Sequence, residues 1–202
     1  MLIFRVLAWC LLGLVGLAAL ASALGDIQRI ATDGVLLRPD LACTILWDFW
    51  LASWIAVACW SSRAAARPLA RQEIASLILP VIGFGLLGFG SLATNFAPLW
   101  TLPDGLGWAL AIVCGLGLLF TWWARASIGS LWSAAVSLKQ GHSVVQSGAY
   151  GLVRHPIYTG LIIAALAQAI IIGQAANLAG AVLLTVGFWR KSATTAVWIR
   201  AA

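Results

Sequence analysis

The sequence predicts an all-α fold: a polytopic membrane protein with four spanning helices and a C-terminal helical hairpin. Three observations predict this class. Of the 202 residues, 62% are hydrophobic, against about 45–50% in soluble domains. Only 9% are charged, against about 25% in soluble domains, so the chain cannot cover itself with polar surface in water. Several apolar segments also reach the roughly 20 residues that a spanning helix needs.

Four apolar segments meet that length, at about 2–24, 41–60, 74–98 and 105–124. The first ends in Ala21-Ser22-Ala23, which is similar to a signal-peptidase site. Its apolar stretch is longer than the roughly 7–15 residues of a signal core, so we interpret it as a retained span. Asp48 falls inside the second segment between tryptophans. It is either an aspartate near the membrane interface or a functional polar contact.

The last apolar stretch, about 158–189, is too long for one ordinary span and contains the turn-prone Gly173-Gln174-Ala175-Ala176-Asn177. Two short helices would form a hairpin, and one long tilted helix is the alternative. With a cytoplasmic N-terminus, the hairpin leaves only Arg29 and Arg38 on the far side, as the positive-inside rule requires. The basic residues on the cytoplasmic side are then Arg5, Arg63, Arg67, Arg71, Arg125, Lys139, Arg154, Arg190, Lys191 and Arg200.

These segments divide the chain into two regions. Residues 1–104 form an N-terminal three-span region, and residues 105–202 form a C-terminal region. The C-terminal region holds the fourth span, a polar segment at 125–157, the hairpin at 158–189 and a short tail. Within the polar segment, apolar residues at helical spacing over 128–136 predict a short interfacial helix, and an irregular loop is the alternative.

Composition argues against several functions. The net charge of +6 is explained by residues flanking apolar spans, and no nucleic-acid-binding module is present, so we expect no nucleic-acid partner. The two histidines lie far apart without a nearby cysteine or carboxylate, so we expect no metal. Because no acidic residue follows Asp104, the C-terminal half cannot supply the acid of a Ser-His-Asp triad.

The run Gly141–Gly160, GHSVVQSGAYGLVRHPIYTG, is the one polar segment with the residues of a binding site. Arg154-His155-Pro156 opens the final apolar stretch, and proline suits the first turn of a helix. Free N–H groups, the helix dipole and Arg154 favour an anion such as a carboxylate. The rings of Tyr150 and Tyr158 can attract a cation. A zwitterion such as S-adenosylmethionine would suit such a site, although a basic flank with interfacial histidines explains the same residues.

At these residues the sequence resembles the isoprenylcysteine carboxyl methyltransferase family of integral membrane enzymes, in particular its bacterial members. The family pattern reads approximately GHxLVxxGPYxxVRHPxYxG. This chain has Gly141-His142-Ser143-Val144-Val145, then Gly148-Ala149-Tyr150, then Val153-Arg154-His155-Pro156-Ile157-Tyr158-Thr159-Gly160. The resemblance covers roughly residues 105–191, including the apolar hairpin that follows the motif.

The resemblance implies an S-adenosylmethionine-dependent methyltransferase with a cytoplasmic cofactor pocket. Arg190, together with Arg154, would hold the substrate. No dedicated catalytic acid or base is implied, because methyl transfer needs mainly alignment and desolvation. The residues implied to line the cofactor are His142, Ser143, Val144, Val145, Tyr150, His155, Pro156, Ile157 and Tyr158.

The sequence departs from the family at two places. Ala149 replaces the usual proline, which we expect to loosen a turn. After Arg190 the family has a pair of glutamates, whereas this chain has none and places Thr194 where the first belongs. We therefore expect either a truncated or altered C-terminus with weakened activity, or a relaxed site.

Two functions follow from these observations. The first is a membrane methyltransferase acting on a small apolar or lipid-like acceptor through a carboxylate, a thiol or a headgroup. The second is a non-catalytic membrane protein that keeps the methyltransferase scaffold. A transporter is a weaker third, since few ionisable groups lie in the spans and no inverted repeat is visible. We expect the protein in a bacterial inner membrane, with its N-terminus and active site cytoplasmic.

Overall fold

The structure is a computed structural model that describes residues 17, 20–21, 23–28, 30–34, 36–57, 64–66, 70–89, 97–129, 138–139 and 147–201. The chain divides into two compact units, Met1–Trp60 and Ser61–Ala202. Apart from one short two-stranded ribbon, the described regular elements are helices. The predicted all-α class is therefore confirmed.

In the first unit, helix α1 spans Pro39–Ala56 and coincides with most of the predicted second span. Pro39 lies at its first turn, where the missing N–H needs no partner. Arg38, just before it, forms an ion pair with Asp40 at 2.6 Å, which raises the pKa of Arg38 through the hydrogen bond and charge of Asp40. Between residues 17 and 32 the described positions are helical, while most of the predicted first span lies outside the described residues.

Tryptophans gather on one side of α1. The rings of Trp50 and Trp54 stack with centroids 4.8 Å apart, and Trp47 contacts Trp50 edge-on at 5.5 Å. Asp48 follows Trp47 and is half-buried. Its role stays a prediction.

The second unit contains the remaining elements. Helix α2 spans Ala70–Phe89, α3 spans Asp104–Ile128, and α4 is the short helix Ala149–Leu152. Helix α5 spans Pro156–Ile172 and α6 spans Ala175–Ala201. Strand β1, Ala64–Ala66, pairs antiparallel with strand β2, Leu138–Lys139.

The four long helices of this unit pack in the order α3, α5, α6, α2. Each neighbouring pair is antiparallel. Gly117 of α3 faces Gly160 and Ala164 of α5, and the start of α3 lies beside the end of α5, where the indole of Trp100 donates to the carbonyl of Ile170 at 3.0 Å. The end of α3 and the starts of α2 and α5 therefore meet at one end of the bundle, which also receives the C-terminal half of α6.

The chain reverses between α5 and α6, which confirms the predicted hairpin over one long helix. Gly173 has a left-handed φ of 66° and closes α5 with an N–H bond to the carbonyl of Ala169 at 2.9 Å. Glycine takes this conformation without the steric cost that a side chain incurs. Far from the turn, the rings of Tyr158 and Phe188 stack across the two arms.

Two boundaries differ from the sequence expectation. Helix α3 continues through Arg125 to Ile128, so the start of the predicted polar segment is the last turn of this helix. Helix α6 continues to Ala201, so the predicted short tail is helical. In both places the residues beyond the apolar core are good helix formers or carry no helix-breaking signal, and hydropathy alone does not mark where a helix ends.

Small residues form the helix contacts and large apolar residues face outward. A Cβ on Gly117 would lie 2.7 Å from the carbonyl oxygen of Gly160, so these backbones touch. On α3 the exposed side chains include Ile112, Leu116 and Leu119, each about 60% exposed. An apolar surface of this kind suits lipid and would cause aggregation in water.

Among the described residues, α3 alone is long and apolar enough to cross a membrane. Two further apolar helical stretches, Leu77–Gly88 and Pro156–Ile172, are shorter. The fourth predicted span therefore corresponds to a helix long enough to cross a membrane. The described helices at the other predicted spans cover those spans only in part.

Candidate functional site

The candidate site lies at the end of the bundle where α3 ends and α5 begins. The last turn of α3, the turn before α4 and the start of α5 meet there. The ribbon is at the same end, because β1 precedes α2 and β2 follows α3. Basic residues that the sequence assigned to the cytoplasmic side share this end: Arg125, Lys139, Arg154, Arg190 and Lys191.

A tight turn brings the motif against α3. Gly148 has φ 60° and ψ −134°, a conformation that residues with a side chain rarely adopt. A Cβ at this position would collide with the hydroxyl of Ser127 in the last turn of α3. The next side chain, Ala149, is fully buried. The turn therefore depends on glycine both for its backbone conformation and for its close contact with α3.

The start of α5 is arranged as the sequence predicts. Pro156 occupies the first turn and is buried, and His155 precedes it. The carbonyl of His155 accepts hydrogen bonds from the backbone N–H of Thr159 at 3.0 Å and from its hydroxyl at 3.1 Å. Ile157 follows in the first turn and is half-buried. The N–H groups of this first turn have no partner within the helix, so they can bind an anion.

Three aromatic rings stack beside this helix start. The imidazole of His155 lies parallel to the ring of Tyr158, with centroids 5.6 Å apart and 14° between planes. Tyr158 in turn stacks on Phe188 of α6 at 4.6 Å and 5°. Phe188 is 6% exposed, so the stack runs from the surface at His155 into the bundle. Its two contacts make Tyr158 a structural link as well as a candidate binding residue.

Arg125 is the residue of this site that the sequence reading did not single out. Its side chain is 1% exposed although it lies in the last turn of α3. The guanidinium donates to the carbonyl of Gly129, just after the helix, and lies close enough to Tyr150 to interact electrostatically. A basic residue at the end of an apolar span is ordinarily a topology signal, so no sequence pattern separated Arg125 from the other flanking arginines.

Burial is the main influence on the pKa values of His155 and Tyr150. Burial lowers the pKa of His155, and the positive charge of Arg154 lowers it further. At neutral pH the imidazole is therefore uncharged. Burial raises the pKa of Tyr150 although nearby Arg125 opposes the shift, so its phenol keeps its proton as a hydrogen-bond donor.

The two arginines predicted to hold substrate occupy exposed positions. Arg154 lies in the bend before His155. Arg190 lies on α6, two residues after Phe188, which puts it on a different side of the helix from the ring stack. The basic residue on the buried face of α6 is Lys191, 6% exposed and one turn after Phe188. The substrate role of Arg154 and Arg190 stays a prediction.

Part of the predicted site lies outside the described residues. This holds for His142, Ser143, Val144 and Val145, and for most of the interfacial helix expected over 128–136. Within the described ranges, no three or more His, Cys, Asp or Glu residues come together in a group that could hold a metal ion.

Comparison with known families finds one match, in the C-terminal half of the chain. The sequence model of the isoprenylcysteine carboxyl methyltransferase family matches residues 109–192, a range that includes most of α3 and α6 and all of α4 and α5. The resemblance seen in the motif is thereby confirmed over this segment. The family consists of integral membrane methyltransferases. No curated protein matches the chain.

Proposed function

Because the sequence model of the isoprenylcysteine carboxyl methyltransferase family matches residues 109–192, we propose that the protein is an S-adenosylmethionine-dependent membrane methyltransferase. Its acceptor is a small apolar or lipid-like molecule carrying a carboxylate, a thiol or a polar headgroup. The observation that carries the proposal is the meeting of Arg125, Tyr150, His155 and Tyr158 at one end of the bundle, inside the matched segment.

The donor set fits this cofactor. A methionyl carboxylate suits the first-turn N–H groups of α5 together with the buried Arg125. The missing Cβ of Gly148 lets the turn pack against Ser127 of α3, which keeps Tyr150 beside the end of α3. A sulfonium cation suits an aromatic face, and we assign this contact to Tyr150, because Tyr158 already stacks with two rings.

An uncharged His155 supports the same assignment. A protonated imidazole beside a sulfonium would place two positive charges in a partly desolvated site. Burial and Arg154 lower the pKa of His155 and so avoid this repulsion near neutral pH. His155 thus contributes a neutral ring and a hydrogen-bonding nitrogen.

When bound, S-adenosylmethionine supplies an electrophilic methyl carbon, which bonds to a lone pair of the acceptor while the carbon–sulfur bond breaks with its electron pair on sulfur. The protein's part is to align the acceptor with that carbon and to exclude water. The apolar outer surfaces of α3 and α5 bound the site on the lipid side, so an apolar acceptor can approach from the bilayer. A carboxylate acceptor is already ionised near neutral pH and needs no base.

The membrane arrangement completes the proposal. We place the site end of the bundle on the cytoplasmic side of a bacterial inner membrane, since Arg125, Lys139, Arg154, Arg190 and Lys191 belong to that end. Helices α2, α5 and α6 form the membrane-embedded bundle together with α3. Arg154 and Arg190, both exposed, are placed to hold an anionic acceptor group.

Calorimetry on the purified full-length protein in detergent tests the proposal. We expect binding of S-adenosylmethionine and of S-adenosylhomocysteine, and transfer of a labelled methyl group to a prenylcysteine carboxylate, a small thiol or a lipid headgroup. The double variant H155A/Y150A should lose binding. The matched control is Asp104→Asn at the opposite end of the bundle, which should bind normally. Folded wild-type protein that binds neither compound contradicts the proposal.

A second function is a membrane protein that keeps this scaffold without catalysis. The observation that favours it is Thr194, which stands on the backbone of α6 where the family pattern has a glutamate. A glutamate would complement the positive sulfonium, whereas threonine adds no charge. Under the methyltransferase proposal Thr194→Glu raises the affinity for S-adenosylmethionine more than that for the uncharged S-adenosylhomocysteine. Equal affinities before and after the substitution favour the scaffold.

A further inference from the structure

The apolar outer surface of the bundle has nearly the same length on three helices, and we call this surface the apolar band. On α3 the large exposed apolar side chains run from Leu106 to Trp123, which is about 25 Å along the helix axis. Helix α5 has 17 residues and is also about 25 Å long. On α6 the first charged residue is Arg190, about 22 Å beyond the start of the helix at Ala175.

The packing of α3 on α5 brings their two bands to the same level. Gly117 contacts α5 around its residue 162, and the two helices are antiparallel. Equal steps from this contact towards the hairpin turn bring Leu106 level with Gly173. Equal steps in the other direction bring Trp123 level with Pro156. The band on α3 therefore begins and ends where α5 does.

The hairpin gives α6 the same two limits. One limit is the turn at Gly173, where α5 ends and after which α6 begins. The other follows from the stack of Tyr158 on Phe188, because this contact brings the next residues of α6, Trp189 and Arg190, level with the first turn of α5. The apolar band therefore has common edges on all three helices.

Exposed tryptophans lie at both edges of the apolar band. Trp123 and Trp189 are exposed at the site end, and Trp100 and Trp108 are exposed at the opposite end. The indole of Trp100 is fixed near the level of the hairpin turn by its hydrogen bond to the carbonyl of Ile170 at 3.0 Å. Tryptophan is enriched at the two interfaces between a membrane and water. The edges of the band therefore match the two interfaces of a bilayer.

The apolar band is shorter than the core of an average bilayer. That core is about 30 Å thick, which exceeds the band by about 5 Å, and any tilt of the helices shortens the band further. On α3 alone the charged residues Asp104 and Arg125 lie about 31 Å apart. The hairpin has no such reserve, because its turn at Gly173 closes one end and the exposed Arg154 and Arg190 limit the other.

From these common edges we propose that the bundle fits a bilayer of short-chain phospholipids, with a hydrocarbon core about 25 Å thick, and that it thins a thicker membrane around the candidate site. The surface that contacts the lipid is the apolar band of α3, α5 and α6. A matched thickness keeps the exposed Arg154 and His155 in reach of water, whereas a thicker core would cover them at a high cost for the charge. The proposal rests on the membrane placement given under the proposed function, and it does not depend on methyl transfer.

Melting temperatures of the full-length protein in lipid nanodiscs test this fit. Monounsaturated phosphatidylcholines with chains of about 14 to 22 carbons vary the thickness while the headgroup stays the same. We expect the highest melting temperature at about 14–16 carbons, and one lower by about 4 °C or more at about 22 carbons. A maximum at longer chains, or no dependence on chain length, would overturn the fit. Failure to enter nanodiscs would overturn the membrane placement and the fit together.

Lengthening the hairpin should move the maximum. Three leucines inserted before Gly173 and three inserted after Gln174 lengthen each arm by about 4–5 Å, so the variant should melt highest in chains about two to four carbons longer. The matched control has serines at the inserted positions, which lengthen the arms without extending the apolar band, and its maximum should stay with that of the wild type. An unmoved maximum in the folded leucine variant, or the same shift in the serine control, would refute the role of the band.

Titration calorimetry with S-adenosylhomocysteine in the same nanodiscs measures the consequence for the site. We expect the affinity to be about threefold or more lower in chains of about 22 carbons than in chains of about 14 carbons, because the thicker core covers the site end. The same affinity at both chain lengths would refute this effect on the site. Wild-type protein that binds no cofactor at any chain length contradicts the proposed function, whereas the melting series still decides whether the bundle fits a thin bilayer.

Discussion

The ring of Tyr158 lies parallel to that of Phe188, with centroids 4.6 Å apart and 5° between planes. This contact joins the two arms of the hairpin far from its turn. Because His155 stacks on the same tyrosine, the contact also ties the start of α5, where the candidate site lies, to α6.

We expect the two rings to be energetically coupled. Tyr158→Leu and Phe188→Leu should each lower the stability in detergent, and the double variant should show a coupling free energy of about 0.5–1.5 kcal/mol, as for other aromatic pairs. Thermal unfolding gives the four stabilities. Tyr158→Leu combined with Trp100→Leu, at the opposite end of the bundle, serves as the additive control. Additivity in the Tyr158/Phe188 cycle would show that the stack is not a stabilising link.

The contact between α2 and α6 has no room for a methyl group at Gly83. A Cβ at Gly83 would lie 2.8 Å from backbone atoms of both Gly180 and Leu184. Gly83→Ala must therefore push the helices apart, at a cost of about 1–3 kcal/mol. Gly85, two residues further on the same helix, has no neighbouring atom within 4 Å of a Cβ, so Gly85→Ala should be neutral or stabilising by up to about 1 kcal/mol. Equal melting temperatures for both variants would contradict the close packing.

The turn at Gly148 should likewise tolerate no residue larger than glycine. Gly148→Ala places a side chain at φ 60° and against the Ser127 hydroxyl. The backbone conformation alone costs about 1–3 kcal/mol. Gly129 has nearly the same conformation, φ 56° and ψ −134°, without any atom within 4 Å of a Cβ, so Gly129→Ala isolates the backbone cost.

We expect Gly148→Ala to be less stable than Gly129→Ala and to lose affinity for S-adenosylhomocysteine, measured by calorimetry. Adding Ser127→Gly to Gly148→Ala should return part of the difference, because it removes the colliding hydroxyl. A G148A variant as stable as G129A would contradict the contact with α3.

The lowered pKa of His155 predicts a pH dependence of stability. A histidine whose pKa is lower in the folded state takes up its proton first in the unfolded state. Its contribution to stability is therefore complete above the ordinary pKa of about 6.5, declines as the pH falls towards the lowered pKa, and becomes constant below it.

Melting temperatures of wild type and His155→Gln between pH 8 and pH 5, about the range in which a histidine titrates, check this dependence. The wild type should lose more stability on acidification than the variant, since His142 is common to both. A larger loss in the variant would mean that the folded state favours the protonated imidazole.

The sequence by itself determined the helical class of the protein and indicated most of the candidate site residues. Long apolar segments separated by basic residues favour helices in lipid. The motif at 141–160 and its proline at the start of α5 were equally visible, because the backbone conformation at a helix start depends on local residue types. The hairpin was favoured by the distribution of basic residues along the whole chain and by the local turn signal at Gly173, both of which can be read from the sequence.

Tertiary structure decided which residues meet. Hydropathy could not place the ends of α3 and α6, since helical propensity continues past the apolar core of each. In the sequence, Arg125 and Lys191 look like ordinary basic residues at the ends of apolar spans. Only the packing of α3 and α6 against their neighbours buries them. The stack of His155, Tyr158 and Phe188 and the close contact of Gly83 with Gly180 join residues far apart in the chain. Such relationships arise from interhelical distances and rotations, which no local pattern encodes.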